Sequence, residues 1–555
     1  MCESIKNKIS SFGILLPFAP HFLHKKNQDM DLQTISQNFE SSANYIVNRV
    51  LSTNRQDVKT LGKVVAITLA AYIISSKLYD AFLGPLSGIP GPIQLKLFSL
   101  RFSREITNPP GRAYEKFQRW QNQYGDVVRL GPKSIQVADK HMVRQVLFKD
   151  DLPKGPDYER MSRDGGPTLL SATDKVFHKQ RRRVVSPAFS VKYLNSLEPY
   201  MLNTADTFIR SIDREITNSK RSDGYGQVDI WILLHYLALD IIGETAFGQT
   251  FHLLDGDDHI VPATIARELE TVSYIMTHPV MGLIKALLSF SDLSKNKRRL
   301  KEFMTKSIME RLKGGEKDRR NDILQILIDT QHANETEDRL TAEAIAQETI
   351  LFLVAGSETT SNTIGFAIIE LLKNPHALAT LRKEVDSIES EDGQKLFTND
   401  QLKQLPYLNA IINETMRINP IAVVGLERIT DRDTILAGRL YVPKGTQVRC
   451  NIYSTHLNPK YWPEPTKFKP ERWLDDSDIP ADQEAFYPFS AGSRNCIGKG
   501  FAQQEMRLTI ASLVRLYDFE AIPAEMKASD ERTSFVTLSV QSNSFKLYMK
   551  RRGTA

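Results

Sequence analysis

Residues 489 to 500 read FSAGSRNCIGKG, and this short stretch limits what the chain can become more than any other. It sets a cysteine among Ser, Arg, Asn and Gly, whereas a structural cysteine ordinarily sits as a small hydrophobe among apolar neighbours. The chain has three cysteines, Cys2, Cys450 and Cys496. That number builds no disulfide framework, and no Cys-x-x-Cys pair points to zinc or dithiol redox chemistry. The fold must therefore present one thiol, on a glycine-punctuated segment, for a purpose other than packing.

At 555 residues the chain exceeds the usual single-domain size. No Pro/Ser-rich linker, low-complexity tract or internal repeat divides it, which implies one large catalytic unit with an appended N-terminus. A net charge of +6 is mild for this length and is compatible with an acidic partner or a membrane surface. The run Lys295, Lys297, Arg298, Arg299, Lys301 reads as a solvated helix face. It lacks the interleaved aromatics of a single-strand platform, so no nucleic-acid partner is expected.

VVAITLAAYIISS, residues 64 to 76, lies between Lys63 and Lys77, and with Lys77 snorkelling the apolar stretch continues to Leu83. Twenty residues just span a bilayer. A buried core helix remains the competitor, but SGIPGP at 87 to 92 breaks and stiffens the chain directly afterwards. The expected organisation is an extension of unknown role at 1–59, a membrane anchor at 60–84, a Pro/Gly hinge at 85–95 and a catalytic domain at 96–555. Positive charges flank the span on both sides, so orientation does not follow from charge. The patch FGILLPFAPHFL within 1–59 is too short to span, and its surroundings are not those of a mitochondrial presequence.

GRAYEKFQRWQNQYG (111 to 125) has helical spacing and a terminal Gly, and DVVRLGPKSIQVAD reads as strand, Gly-Pro turn, strand, with Asp139 placed to cap the next helix. A second strand-turn-strand pattern spans 435 to 453. Most of 190 to 420 is helical in period, so the fold class is mainly α with a small β portion (α+β).

AQETILFLVAGSETTSNTIGFAIIELL (346 to 372) carries one ionisable residue, Glu358, between Glu348 and Glu370. A second membrane span is disfavoured, because an acid near its centre costs about 3 kcal/mol and hydroxyls surround it. The segment reads as a buried helix whose polar middle faces a reaction site; an amphipathic core helix with tolerated polar residues fits it equally when taken alone. Mid-helix hydroxyls can bond back to the carbonyl one turn earlier. Glu358 and Thr359 are adjacent, so on a regular helix they do not face each other and a joint proton relay needs a bend or a bridging water.

In ETMR, Glu414 and Arg417 share a helix face at i, i+3. Glu316 and Arg319 show the same spacing in a solvent-type stretch, so the spacing alone is weak. The succession of segments towards the C-terminus is a stronger signal: LERITDRD, then FKPERW at 468 to 473, then the cysteine segment.

With these residues in order, the chain resembles the cytochrome P450 superfamily of haem-thiolate monooxygenases, in its microsomal fungal type, over roughly residues 85 to 550. Phe489, Gly492, Arg494, Cys496 and Gly498 fit the family's Phe-x-x-Gly-x-Arg-x-Cys-x-Gly segment. Glu414 and Arg417 match its Glu-x-x-Arg, Arg472 in PERW matches the arginine completing a structural triad, and Ala355 to Thr360 is similar to the oxygen-activating signature.

The resemblance implies haem b held between a long central helix and a Cys-bearing loop, with Cys496 as axial thiolate ligand pushing electron density towards oxygen. It implies glycines at 492 and 498 that let backbone N–H groups approach the sulfur, and Arg494 on a haem propionate. His178 and Arg182 occupy the family's Trp-x-x-x-Arg positions with His in place of Trp; a propionate donor and a surface histidine beside a basic cluster both fit. Arg428 matches another propionate arginine, and Lys179, Arg183 and Lys499 either meet an acidic electron donor or form a solvated face.

By the same resemblance, Thr359 holds the group that receives protons and Glu358 supplies them. Without a flavin-type glycine fingerprint, electrons are expected from a separate NADPH-cytochrome P450 reductase, with cytochrome b5 as a further candidate donor. The expected location is the endoplasmic reticulum membrane, single-pass, with the catalytic domain cytosolic, in a role of secondary-metabolism type. The pocket is expected to use the 155 to 175 loop, Val354, Ala355, Val423, Val424, Leu426 and Phe535, which favours a small neutral lipophilic substrate, steroid or terpenoid ahead of fatty acid. A haem-thiolate isomerase or dehydratase and a non-catalytic haem-binding protein are the rival functions.

Overall fold

A computed structural model describes residues 55–97, 105–106, 108–162, 166–256, 319–389 and 396–553, with scattered residues between 261 and 313. The 1–59 extension up to residue 54 and most of the basic run at 295–301 lie outside the described residues; Arg298 is described and exposed. By contacts the chain divides into residues 1–76 and 77–555.

Helix α1, Arg55–Phe82, contains the apolar stretch. Val64, Val65, Ile67, Leu69, Tyr72, Ile73 and Ile74 are exposed, which a core helix would not permit. Among the described residues two helices are long and apolar enough to cross a bilayer, Gly62–Phe82 and Ile230–Phe247, and the second is mostly buried inside the protein. After α1 the chain turns inwards: Leu86 and Ile89 are buried, and the Pro90 carbonyl accepts the Arg129 N–H at 2.7 Å.

Helix α2, Ala113–Tyr124, buries Ala113, Phe117 and Gln121 at i, i+4, i+8 and ends at Gly125, whose φ of 94° suits glycine. Strands β1, Val127–Gly131, and β2, Ser134–Val137, follow, and the Asp139 carboxylate caps the next helix by accepting the His141 and Met142 N–H groups at 3.0 Å each. Helix α3, Lys175–Val185, is capped by Asp174, and α4, Val191–Asn218, by Ser190. Helix α5, Ile230–Ile242, packs along α6, Ala342–Lys373, which Thr341 caps. Gly365 of α6 permits that packing, since a Cβ there would lie 2.5 Å from the Trp231 ring of α5. Helix α7, Pro406–Ile418, and α8, Lys499–Leu516, complete the helices around the site.

The sheet that flanks this body has four strands in the order β1, β2, Gln447–Cys450, Leu426–Ile429. β2 pairs parallel with Gln447–Cys450 in the register Ser134 to Gln447, and the outer pairings are antiparallel. The 435 to 453 stretch therefore serves two sheets: Thr434–Leu436 and Leu440–Val442 form a hairpin, while Gln447–Cys450 joins β2 from a distant part of the chain. Mainly helical elements with small sheets agree with the expected α-rich class with a minor β portion.

Candidate active site

The loop before α8 is closed on itself, the Cys496 N–H donating to the Phe489 carbonyl at 2.9 Å and the Asn495 N–H to the Gly492 carbonyl at 3.2 Å. Ser493 ties it to Asp151, its N–H donating at 3.2 Å and its hydroxyl at 2.5 Å. Gly492 has φ of 71°, and a Cβ there would collide with the Leu147 carbonyl. The glycine lets the loop pass close to the backbone at 147. Gly498 does face the sulfur, and its N–H is a hydrogen-bond donor to Cys496.

Cys496 has accessible surface yet is embedded, protein surrounding the thiol on most sides, as expected for a group opening into an internal concavity. Accessibility describes the open direction and embedding the rest, so both hold. Burial pushes its thiol pKa up, while the Gly498 N–H and the charges of Arg182 and Lys499 pull it down. Cys450 is buried, and burial pushes its pKa up to about 12, which leaves it inert.

Around the loop the structure gathers cations. His178 is 3% exposed, so the surface alternative is excluded. Burial first, then the charges of Arg494, Lys154, Arg182 and Arg428, push its pKa down to about 3. Arg494 is buried, donates through Nη1 to the Ala172 carbonyl at 3.0 Å, and keeps a buried Nη2 with no partner. Arg182 donates through Nη1 to the Asn495 carbonyl at 2.6 Å and through Nη2 to the Asn495 side chain, which fastens the cysteine loop. Arg428 is buried and bonds its own neighbour's carbonyl, from Glu427, at 2.8 Å.

Lys154 is a member of this cluster that sequence reasoning missed. Burial and the charges of Arg428, Arg494 and Arg182 push its pKa down to about 7. A group of three arginines, a lysine and a histidine, all buried except the half-buried Arg182 and with an unused guanidinium N–H, is built for an anion. That fits the carboxylates of a haem whose iron Cys496 would ligate.

Lys154 also steadies the 155 to 175 loop, donating to the Leu169 carbonyl at 3.2 Å and to the Leu170 carbonyl at 2.5 Å. From α6, Glu348 accepts the Leu169 N–H at 2.9 Å and lies 3.6 Å from Arg181. Burial pushes Glu348 up to about 7. The loop is thus gripped from both sides around one residue, Leu169.

The polar middle of α6 shows the back-bonding expected of it. Thr359 donates to the Ala355 carbonyl at 2.7 Å, Ser357 to Leu353 at 2.8 Å and Thr363 to Thr359 at 2.7 Å, yet α6 is helical throughout. Ala355 is exposed in the middle of the helix, between the buried Leu353 and Ser357, and Val354 is half-buried, so this turn borders open space. Glu358 lies 3.7 Å from His235 of α5. Val424 and Leu426 are half-buried and Phe535 is exposed, whereas Val423 is fully buried and offers a pocket no surface.

The triad is assembled. Arg417 donates to Glu414 through Nε and Nη2 at 2.8 Å each, and Arg472 Nε lies 3.3 Å from the same carboxylate, all fully buried. Glu316 lies outside the described residues, and Arg319 pairs with Asp329 at 2.7 Å. On the outer face Lys179 and Lys499 are exposed, but Arg183 is engaged by Asp338.

Comparison with known proteins agrees with this geometry. The family model described as Cytochrome P450 matches residues 89–549. The chain is 32% identical over 502 residues to cytochrome P450 monooxygenase LUC2 of Fusarium sp, covering 89% of this chain and 95% of the relative. It is 34% identical over 486 residues to cytochrome P450 monooxygenase acrD of Aspergillus aculeatus, covering 85% and 92%. Similarity extends to human cytochrome P450 3A7, 28% identical over 450 residues, covering 78% and 86%.

Proposed function

The chain belongs to the cytochrome P450 family, and from that premise we propose that it is a membrane-anchored monooxygenase inserting one oxygen atom of O2 into a neutral lipophilic substrate. The observation that carries the reading is the embedded, one-sidedly open Cys496 beside a cation cluster that holds an unpartnered Arg494 Nη2, with the Ala355 turn of α6 bordering open space. Bound at this site, haem would supply oxygen reduction and atom transfer.

The chain's own residues perform the remaining tasks. Gly498 N–H, Arg182 and Lys499 stabilise the thiolate form of Cys496, which carries its negative charge in a buried setting. Arg494, Arg428, His178 and Lys154 would bind the propionates. Thr359, donating to the Ala355 carbonyl, keeps its oxygen lone pairs as acceptors. It would hold a water near the reacting oxygen while Glu358 supplies the protons. The Lys154 and Glu348 bonds hold the backbone at Leu169 and Leu170 in place between the cation cluster and α6.

Electrons would come from a separate NADPH-cytochrome P450 reductase, with cytochrome b5 as an alternative second donor, approaching the face that carries Lys179 and Lys499. The exposed apolar surface of α1 supports an anchor at 60–84 in the endoplasmic reticulum membrane, with the 96–555 domain cytosolic. Val354, Ala355, Val424, Leu426 and Phe535 carry no charge to grip a carboxylate, and Arg160 of the 155 to 175 loop is paired with Asp157 at 2.7 Å, which favours steroid or terpenoid over fatty acid. The test is NADPH consumption with a partner reductase across neutral terpenoids, steroids and fatty-acid salts, coupled to hydroxylated product. Isomerised product without NADPH use, or haem binding without turnover on any member, would replace this reading with its rivals. Tight binding of a fatty-acid salt with no response to steroids would overturn the substrate class.

A further inference from the structure

The α5–α6 contact holds one ionisable group besides Glu358 that the proposed chemistry leaves unused. His235 projects from α5 with Nε2 2.7 Å from Asn362 Oδ1 and Nδ1 3.7 Å from Glu358 Oε1. Chemistry fixes which nitrogen bears hydrogen. The Leu538 carbonyl can only accept, so the Asn362 atom 2.9 Å from it is the amide nitrogen. Asn362 Oδ1 is then an acceptor, and His235 Nε2 must carry the hydrogen between them.

Nδ1 consequently meets the Glu358 carboxylate. An unprotonated Nδ1 facing an ionised carboxylate sets lone pair against lone pair in a site where the two side chains are only 20% and 16% exposed. A single proton between them turns that repulsion into a charge-assisted contact. The Trp231 ring, 6.0 Å away centre to centre, packs beside the imidazole and limits its reorientation.

We propose that His235 and Glu358 hold one proton in common, loaded beside the oxygen-activating turn of α6; the proposal rests on the reading of Glu358 as proton donor. His235 is a positioning residue, acting through Glu358. The proton passes from Nδ1 to Glu358, breaking the N–H bond and forming an O–H bond, and then leaves Glu358 towards the oxygen being reduced, breaking that O–H bond, after which solvent returns one proton to the pair. The overall balance is that of the monooxygenase reaction: two electrons from the reductase and two protons per O2, one oxygen leaving as water and the other in product. Asn362 and the Leu538 carbonyl fix the tautomer, which ties the strand Leu538–Val540 to proton supply.

The test compares His235→Gln, His235→Ala and Glu358→Gln as full-length haem-loaded protein with reductase. A glutamine N–H can still serve Asn362 but cannot carry a mobile proton. His235→Gln should keep wild-type haem content and carbon monoxide spectrum while product per NADPH falls about tenfold and peroxide rises to match, less than the roughly 100- to 10,000-fold of a removed catalytic acid or base because Glu358 remains. Coupling in His235→Gln equal to wild type, or a His235→Ala defect cured by Gln, overturns the proposal and leaves a structural hydrogen bond. If Glu358→Gln also couples normally, the Glu358 reading itself fails; if it uncouples while His235→Gln does not, only the His235 assignment fails. Should the His235 variants lose haem, turnover of wild-type enzyme in mixtures of light and heavy water decides. A curved dependence on deuterium fraction supports the shared proton, and a linear one overturns it.

Discussion

Replacing Glu414 by Ala should prevent the protein from accumulating as a haem-bound fold. Its carboxylate receives Arg417 Nε and Nη2, Arg472 Nε, Trp473 Nε1 and the Lys469 N–H, at 2.8 to 3.3 Å. Glu414, Arg417 and Arg472 have fully buried side chains. Arg417 has other acceptors in the carbonyls of His456, Pro465 and Lys467, so it keeps part of its hydrogen bonding but loses its counter-charge. Arg472 already has a buried Nη1 without a partner, and its other acceptor is the Glu464 carbonyl on Nη2, so its Nε has nowhere else to turn. Breaking a buried pair by removing one partner costs about 3–5 kcal/mol, and the orphaned Trp473 and Lys469 donors add about 1–3 kcal/mol each. The sum rivals the whole stability of a folded protein, about 5–15 kcal/mol. Asp400→Ala is the control: Asp400 and Lys403 have the same i, i+3 spacing at 2.7 Å but are exposed, so less than about 1 kcal/mol is at stake. Soluble yield, haem content and thermal unfolding of the two variants provide the assay. Glu414→Ala protein with wild-type haem content and a Tm like that of Asp400→Ala would refute the reasoning.

Gly492→Ala should abolish haem incorporation, because its Cβ meets the Leu147 carbonyl and φ is positive, whereas Gly498→Ala, with Cβ in ordinary contact 3.9 Å from the sulfur, should retain it; equal haem content would refute the distinction. Lys154→Met should weaken haem binding about tenfold, the equivalent of one charge-assisted bond, measured by titrating apoprotein with haem; unchanged affinity would remove Lys154 from the anion site. Glu505 has both carboxylate oxygens buried without a partner, and burial pushes its pKa from 4.5 up to about 8. The folded protein thus holds this proton more tightly than the unfolded chain, and the stability it confers is complete below pH 4.5 and lost as pH rises through about 8. Glu505→Gln should therefore flatten the fall of Tm between pH 4.5 and about 8; parallel curves would contradict the assignment.

The sequence was most legible where function depends on local spacing. Glu414 and Arg417 sit one helical turn apart, Asp139 and Asp174 precede the helices they cap, and the loop from Phe489 to Cys496 is closed by a bond within itself. Legibility ended where partners are remote. Lys154 joins Arg428 only because an isolated bridge brings 154 beside 428, and His235 reaches the distant Glu358 through the packing of α5 on α6. Neither residue has a local pattern to mark it. Gly492 is recognisable in the sequence as a glycine position, but the Leu147 carbonyl that also requires it lies far earlier in the chain and leaves no local mark. Val423 illustrates the converse: an aliphatic stretch does not reveal which of its members turn inward, and this one is fully buried. The 435 to 453 stretch was readable as strands, but their division between two sheets depends on β2 lying alongside Gln447–Cys450.

The most direct measurement is the carbon monoxide difference spectrum of the reduced full-length protein beside Cys496→Ser and Cys450→Ser. A thiolate-type band is predicted in wild type and in Cys450→Ser, with its loss in Cys496→Ser. The same band from Cys496→Ser would contradict thiolate ligation by Cys496.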